Sequence, residues 1–304
     1  MVRSIKNSLA LVNRIPPEIL SLVPTYLEDN HKDETSIKLT HVCRSWRAIF
    51  ISLPSLWARL DCTNIDKTHV YLERSKSFPL EVCLGRVNNP LYRKEAFLPA
   101  VPHIPRLTDL SVCGNPTQIL PVLIEHFSCP VPLLDRLKIN FECAQASTLP
   151  DELFDGDLST LREFSLAGVI TPLPWRGLLN LTTFNLYRIA KNKILLTQLL
   201  NFFESAPNLR HIHLHDSISN SNTPTERVVS LSQLKDLSIT IQPTHSILLN
   251  HLSIPAGVSL RLKFAFSGTQ FPIPSYLPKS LDSLPNLSHI TAASLCFGSR
   301  RRFM

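Results

Sequence analysis

From residue 107 onward, the chain repeats one short pattern of apolar positions, L-x-x-L-x-L, in which the residue between the last two apolar positions is polar. The last two apolar residues stand two apart, so in an extended strand they point to the same face. Successive copies begin 27, 27, 20, 28 and 25 residues apart, and a final interval of 53 residues contains a degenerate copy, SLRLKF, at 259–264. The other predicted strands lie at 107–112, 134–139, 161–166, 181–186, 209–214, 234–239 and 287–292.

Stretches with helical spacing of apolar residues lie between these strands, at 118–127, 193–206 and 246–252. A strand, a helix and a second parallel strand form a right-handed crossover, and intervals of 20 to 28 residues are typical of leucine-rich repeats. We therefore expect a curved α/β solenoid with a parallel sheet along one surface. An earlier helix–strand unit is expected at 66–84, and the irregular stretch 85–103 follows it.

The polar positions of the predicted strands share the other face of the sheet, which we expect to face solvent. Repeat proteins commonly bind partners on such a face. Acidic, basic and histidine positions are mixed along it, which argues against a nucleic acid or another polymer of one charge sign. The residues expected to contact a target protein are Lys138, Asn185, Tyr187, His211, His213 and His215.

The first sixty residues follow a different pattern, which indicates short helices. Pro16 suits the first turn of a helix whose apolar positions share one face as far as Leu27, with a kink or an early end before Pro24. Residues 28–36 are polar and predict a turn. Helical spacing of apolar residues resumes over 37–50.

The composition narrows the class of protein. The chain has 304 residues, of which 44% are hydrophobic and 18% charged, so it can bury a sizeable core. It contains 50 leucines and 24 prolines but only 8 glycines. This shortage of glycine argues against folds that use glycine-rich loops to hold a dinucleotide or a phosphate.

The cysteines and the chain ends predict a cytoplasmic and/or nuclear protein. The number of cysteines is odd, at 7, and no C-x-x-C pair occurs, which favours reduced thiols. The apolar run Leu9–Val12 is shorter than the core of a secretory signal, and no segment is long enough to predict a membrane span. The net charge is +7, and its densest basic run, Arg300–Arg302, lies in a predicted solvated tail, 299–304.

One ordered set of residues in the N-terminal region carries a family resemblance. The set Pro-x-Glu-Ile-Leu occupies 16–20, Val-Cys-x-x-Trp begins 22 residues after its last member, and Trp57 follows. Over residues 12–60 this order resembles the F-box. The resemblance implies a helical docking surface for the Skp-type adaptor of a cullin–RING ubiquitin ligase. The residues assigned to that contact are Ile15, Pro16, Ile19, Leu20, Val23, Leu39, Val42, Cys43 and Trp46.

The next block, a helix followed by PLEVCL at 79–84, extends the resemblance. The F-box and this block together are similar to the F-box proteins of mushroom-forming (basidiomycete) fungi. In this chain they precede a leucine-rich-repeat-like C-terminal region. The predicted fold class is therefore α/β. A three-helix F-box over 12–60 precedes a curved leucine-rich-repeat solenoid with a parallel sheet, of about nine units, over 61–298.

These features predict the substrate-recognition subunit of a Skp–cullin–F-box ubiquitin ligase, with the F-box on the adaptor and the repeats on a target protein. The sequence holds none of the common hydrolase, metalloprotease or nucleotide-binding motifs, so neither catalysis nor a cofactor is expected. One alternative is a leucine-rich-repeat scaffold that acts outside any ligase. Another is a metal-binding protein, because His211, His213 and His215 share one strand face and imidazole binds zinc and copper.

Overall fold

A computed structural model describes residues 10–26, 32–85, 94–141, 147–150, 153–170, 177–187, 194–215, 227–241 and 246–264. In these residues a group of short helices is followed by a large parallel β-sheet with further helices between its strands.

Short helices form the N-terminal region as far as residue 57. Cys43 has an extended backbone, with φ of −158°, so the helical spacing of 37–50 covers two helices. The turn predicted over 28–36 is wrong for residues 32–36, which lie in a helix whose apolar positions all fall in its second half. The helices are α1 (Pro17–Leu20), α2 (Lys32–Thr40) and α3 (Arg44–Ile51), with 3-10 turns at Leu11–Arg14, Val23–Tyr26 and Pro54–Trp57.

Nine strands form one sheet in which each described strand pair is parallel and the spatial order follows the chain. Every repeated-pattern strand predicted between residues 107 and 264 is confirmed, whereas the copy at 287–292 and the tail at 299–304 lie outside the described residues. The order is β1 (Arg59–Leu60), β2 (Leu80–Leu84), β3 (Leu107–Gly114), β4 (Arg136–Phe141), β6 (Glu163–Ala167), β8 (Thr183–Tyr187), β9 (His211–His215), β11 (Asp236–Ile241) and β13 (Ser259–Phe264). Two small parallel pairs also form, β5 (Ser147–Thr148) with β7 (Val169–Ile170) and β10 (Val229–Ser230) with β12 (Leu252–Ser253).

The strand register places the repeated apolar positions side by side in two rows that cross the sheet. Leu137 aligns with Phe164, and Ile139 aligns with Leu166, so each copy of the pattern packs against the corresponding positions of the next. These side chains are buried except at β13, where Leu260 and Leu262 are partly buried. The first row is Leu60, Val82, Leu110, Leu137, Phe164, Phe184, Ile212, Leu237 and Leu260, and the second is Leu84, Val112, Ile139, Leu166, Leu186, Leu214, Ile239 and Leu262.

Helices pack against the apolar face of the sheet and complete the core. Phe202 contacts the Phe184 ring of β8, with 4.3 Å between ring centroids, and Phe127 stacks on Phe97 at 5.6 Å. The helices predicted at 118–127 and 193–206 are confirmed within one to three residues at each end. They are α4 (Ile65–Ser75), α5 (Lys94–Phe97), α6 (Pro116–His126), α7 (Leu196–Ser205) and α8 (Ser246–Leu249), with 3-10 segments at Leu98–Arg106, Leu153–Gly156 and Leu178–Asn180.

Two of the few glycines lie where the chain leaves a strand. Gly85 and Gly168 have φ of +76° and +68°, a left-handed conformation that favours glycine. A Cβ atom at either position would lie 2.0 Å from a backbone oxygen, that of Cys113 or Phe141. These two turns therefore require glycine for both conformation and space.

Side chains near the strand starts also tie neighbouring units together. The Thr108 and Thr160 hydroxyls donate to the carbonyl oxygens of Leu80 and Leu134, at 3.1 and 2.8 Å. The Asn208 amide donates to the Leu179 oxygen at 2.7 Å. Each bond joins one unit to the preceding unit, so the contact between units recurs along the sheet.

Candidate binding surfaces

The N-terminal helical region exposes large apolar side chains, whereas side chains of the same kind are buried in the sheet region. Ile19 and Val42 are each 54% exposed, and Tyr26 is 83% exposed. Leu22 and Ile37 lie in the same region and are also exposed. An exposed group of apolar residues on a soluble protein typically marks an interaction site.

Two consecutive apolar residues of α1 face different environments, Ile19 the solvent and Leu20 the interior. Pro17 occupies the first turn, where no intrahelical N–H bond is required. Ile19 and Leu20 are consecutive, so they project about 100° apart around the helix. Leu20 is 2% exposed and belongs to the interior, whereas Ile19 remains open to solvent.

The residues predicted to contact the adaptor fall into three groups. Ile15, Pro16, Ile19 and Val42 are exposed, and Val23, Cys43 and Trp46 are partly exposed. Leu20 and Leu39 are buried within this chain, so the structure places both in the interior of the helical region. The exposed apolar residues described in this region also include five that were not among the predicted contacts, namely Leu11, Val12, Leu22, Tyr26 and Ile37.

Trp46 joins this surface to the interior. Its ring meets the buried Phe50 ring edge to face at 5.4 Å. Its indole N–H is shielded from water and has no hydrogen-bond partner among the described residues. Trp46 is therefore partly exposed while its ring packs against the buried Phe50.

The helical region is joined to the sheet through Trp57, which is fully buried. The Trp57 indole N–H donates to the Phe50 carbonyl oxygen at 2.8 Å, and its ring meets Tyr71 of α4 edge to face at 5.1 Å. The Arg74 guanidinium lies over the same ring, 4.3 Å from its centroid. Strand β1 begins two residues after Trp57, so the helical region and the sheet share one packed junction.

A buried carboxylate stabilises the turn beyond β1. Asp61 accepts hydrogen bonds from the backbone N–H and the hydroxyl of Thr63 and pairs with Lys67 of α4, Nζ to Oδ2, at 2.5 Å. Burial raises the pKa of Asp61, but the Lys67 pair and the Thr63 bonds outweigh that effect and hold it below its usual range. The adjacent Cys62 thiol is buried, which raises its pKa and leaves it an unreactive core group.

The outward face of the sheet over β2 to β6 carries charges that neutralise one another. Arg136 lies between Asp109, at 2.6 Å, and Glu81, at 3.7 Å. Lys138 pairs with Glu163 of the next strand at 3.3 Å. Burial raises the pKa of Asp109, Arg136 opposes this and Glu81 adds to it, so the pKa lies above its usual value.

The outward face over β8 to β13 carries mainly histidine, amide, hydroxyl and basic side chains. His211 Nδ1 lies 2.7 Å from Asp236 Oδ2 on β11. His213 aligns with Ser238 of β11, which aligns in turn with Arg261 of β13. Burial lowers the pKa of His213, so this imidazole is neutral at neutral pH.

The residues predicted to contact a target all lie on this outward face, but in two separate places. Lys138 belongs to the group of paired charges. Asn185 aligns with His213, and the exposed Tyr187 aligns with His215, which also aligns with Thr240. The sequence analysis missed Arg261, although the SLRLKF copy of the pattern already placed it at an outward position.

The three histidines do not form a metal site in the part of the chain that the structure describes. His211 is engaged by Asp236, and no group of three or more histidine, cysteine, aspartate or glutamate side chains among the described residues has an arrangement that could hold an ion. Asp216, the nearest further carboxylate in the sequence, lies outside the described residues. The metal-binding alternative gains no support from this geometry.

Comparisons with known proteins bear on the helical region. No helix in the described ranges is long and apolar enough to cross a bilayer. No curated protein and no solved structure matches the chain at a significant level. The model of the F-box-like family matches residues 12–63, so the exposed apolar side chains of α1 to α3 belong to an F-box-like domain.

Proposed function

We propose that this protein is the substrate-recognition subunit of a Skp–cullin–F-box ubiquitin ligase. The observation that carries the proposal is the exposure of Ile19 and Val42 inside an F-box-like domain. F-box domains typically bind Skp-type adaptors, and adaptor contact requires apolar side chains that the chain itself does not cover. Among the predicted contacts we assign the adaptor to the exposed and partly exposed residues, and we assign Leu20 and Leu39 to the domain interior.

The sheet region is the proposed target-binding part. Its in-register parallel strands and recurring contacts between units support a leucine-rich-repeat-like solenoid. In this proposal the chain performs no chemistry of its own. It raises the concentration of a target protein beside a ubiquitin-charged enzyme, inside the cytoplasm or the nucleus.

The shared junction at Trp57 supports this division of roles. Because the F-box-like domain and the sheet pack against one indole ring, a target held on the sheet would keep a defined position relative to the adaptor. A rigid connection of this kind increases the effective concentration of one bound partner near the other.

The test is co-purification of the full chain with a Skp-type adaptor and a cullin. The double variant Ile19→Asp, Val42→Asp places two charges in the proposed interface and should weaken adaptor binding by about thirtyfold or more, as expected for interface hot spots. Val70→Asp is the matched control, because Val70 is an exposed valine on α4, outside the F-box-like domain. It should bind as the wild type does.

The outcomes separate the possibilities. Failure of the wild type to bind the adaptor, or equal binding by the double variant, would overturn the proposal. Adaptor binding without a cullin in the same complex would instead favour a scaffold outside a ligase. Urea unfolding of each variant checks that the substitutions at exposed positions leave the fold intact.

A further inference from the structure

On β13, the last strand among the described residues, the outward positions carry basic residues that have no acidic partner within the described ranges. Arg261 and Lys263 of β13 are exposed, and neither forms an ion pair with another described residue. The carboxylate nearest to them on the neighbouring strand, Asp236, is already engaged by His211. The positive charge at this end of the sheet is therefore not neutralised as it is around Arg136.

A shallow depression lies among these groups. It has a volume of about 140 Å³ and is lined by His213, Asp236, Ser238 and Arg261, with Leu237 and Ser259. A guanidinium at the rim of such a depression can hold a carboxylate in a bidentate geometry, and hydroxyl and imidazole groups supply further hydrogen bonds. Asp236 also lines the depression, but its carboxylate is paired with His211 at 2.7 Å, so a short acidic side chain would be held by Arg261.

The size of the basic region favours a peptide over a nucleic acid. The groups from His213 to Arg261 span two strand spacings, or about 10 Å. Nucleic-acid surfaces neutralise a run of phosphates along a longer basic groove and commonly add aromatic platforms for the bases. The paired charges over β2 to β6 interrupt any such groove.

We propose that the outward face of β9, β11 and β13 binds an acidic segment of the target protein. The contact groups are His211, His213, His215, Ser238, Arg261 and Lys263. This inference rests on the proposed function, because it names the chemistry of the target that the sheet would hold. It does not depend on whether the F-box-like domain binds an adaptor.

At neutral pH His213 offers this face hydrogen bonds and not charge. Burial lowers the pKa of His213, so its imidazole is neutral there. Arg261 and Lys263 carry the permanent positive charge of the site.

The experiment measures fluorescence anisotropy of a labelled peptide of alternating glutamate and serine with the full chain alone. Its counterpart, with glutamine in place of glutamate, controls for contacts that do not depend on charge. The variant Arg261→Ala, Lys263→Ala should bind the acidic peptide about tenfold more weakly, since each exposed charge contact contributes a few-fold. Lys138→Ala is the matched control, because Lys138 occupies the same row of the sheet as Arg261 but pairs with Glu163, and the present proposal leaves it outside the contact groups.

Besides the absence of any binding to the acidic peptide, three results would overturn the inference. These are equal effects of the double variant and Lys138→Ala, equal binding of the glutamine peptide, and tighter binding of a single-stranded DNA of the same charge. If the adaptor binds but the acidic peptide does not, this inference fails and the proposed function stands. If the peptide binds as expected but the adaptor does not, the inference on the target site survives and the role in a ligase fails.

Discussion

The F-box-like domain and the sheet use apolar side chains in opposite ways. In the sheet, the repeated apolar positions align across nine strands and are buried almost without exception, and the outward positions are polar. In the F-box-like domain, Leu20, Leu39 and Phe50 form the buried interior, while residues of the same kind, such as Ile19 and Val42, face solvent. The sheet supplies its own apolar partners through repetition, whereas the small domain leaves part of its apolar surface exposed.

The size of each region explains this difference. A domain of about fifty residues buries a smaller fraction of its surface than a larger one does. Each strand of the sheet, in contrast, has a neighbouring unit that covers it. In the repeats, an apolar residue at a pattern position is therefore a core residue. In the F-box-like domain, an apolar residue is either buried in the core or exposed on the surface.

The largest expected effect separates the two regions directly. Phe184→Ala removes a fully buried ring that packs against Phe164 and Phe202, and it should lower the free energy of unfolding by about 3–5 kcal/mol. Val42→Ala removes an exposed side chain and should change it by less than about 0.5 kcal/mol. Urea unfolding measures both values. If Val42→Ala costs as much as Phe184→Ala, the exposed side chains of the F-box-like domain belong to its core and the comparison fails.

A smaller effect is expected at the junction of the two regions. Asp61→Asn removes the ion pair with Lys67 and should lower the stability at neutral pH by about 1–2 kcal/mol. The pKa of Asp61 lies below its usual value of 3.8, so the unfolded chain takes up the proton first as the solution is acidified. The contribution of the carboxylate is therefore present above that value and is lost as the pH falls through the lowered pKa.

Urea unfolding of wild type and Asp61→Asn at a series of pH values checks this expectation. The difference between the two curves should be largest near neutral pH and should narrow below about pH 4. A difference that stays constant as the pH falls would show that Asp61 acts through its shape and not through its charge.

The smallest effect is expected on the outward face of the sheet. Arg136→Gln leaves Asp109 and Glu81 close together without their shared cation, at a site where Arg136 itself is 43% exposed. Solvent screens such a pair, so the loss of stability at neutral pH should not exceed about 1 kcal/mol. The pKa of Asp109 is already raised and rises further without Arg136, so protonation relieves the repulsion and the loss should shrink as the pH falls. A loss that grows on acidification, measured by thermal or urea unfolding, would contradict this account.

The parallel sheet could be predicted because its pattern is repeated. Leu166 and Leu186 belong to copies of the same six-residue pattern, and the sheet aligns them as neighbours. A single copy of the pattern is compatible with several secondary structures. Copies at similar intervals, however, predict strands that lie side by side in one sheet, so the repetition indicates which strands are neighbours.

The F-box-like domain was predicted less well because its elements are short and occur once. The charged half of α2, from Lys32 to Ser36, has the composition of a turn, yet it is helical and its Ser36 is buried, with its hydroxyl donating to the Leu56 oxygen. The distinction between Ile19 and Leu20 depends on which way a four-residue helix is rotated. No periodic pattern in so short a helix determines that rotation.

The pairing of charges on the outward face could not be predicted either. The sequence analysis treated Lys138 and His213 as equivalent contact residues, because the alternation of strand positions places both outward. Lys138 is held by Glu163 of the adjacent strand, whereas His213 faces Arg261 two strands away. These relations depend on the register between strands, which the pattern within one strand does not contain.

Strand β1 also affects which backbone groups the sheet exposes at its edge. It contributes only two residues, Arg59 and Leu60, to the edge of the sheet, and the helices of the F-box-like domain precede it directly. A sheet edge that offers a longer row of free backbone groups can recruit strands from other molecules. A fragment beginning after residue 60 would expose such an edge on β2, with Leu80, Val82 and Leu84 on one side of it. The N-terminal domain thus covers part of this edge, over Glu81 and Val82.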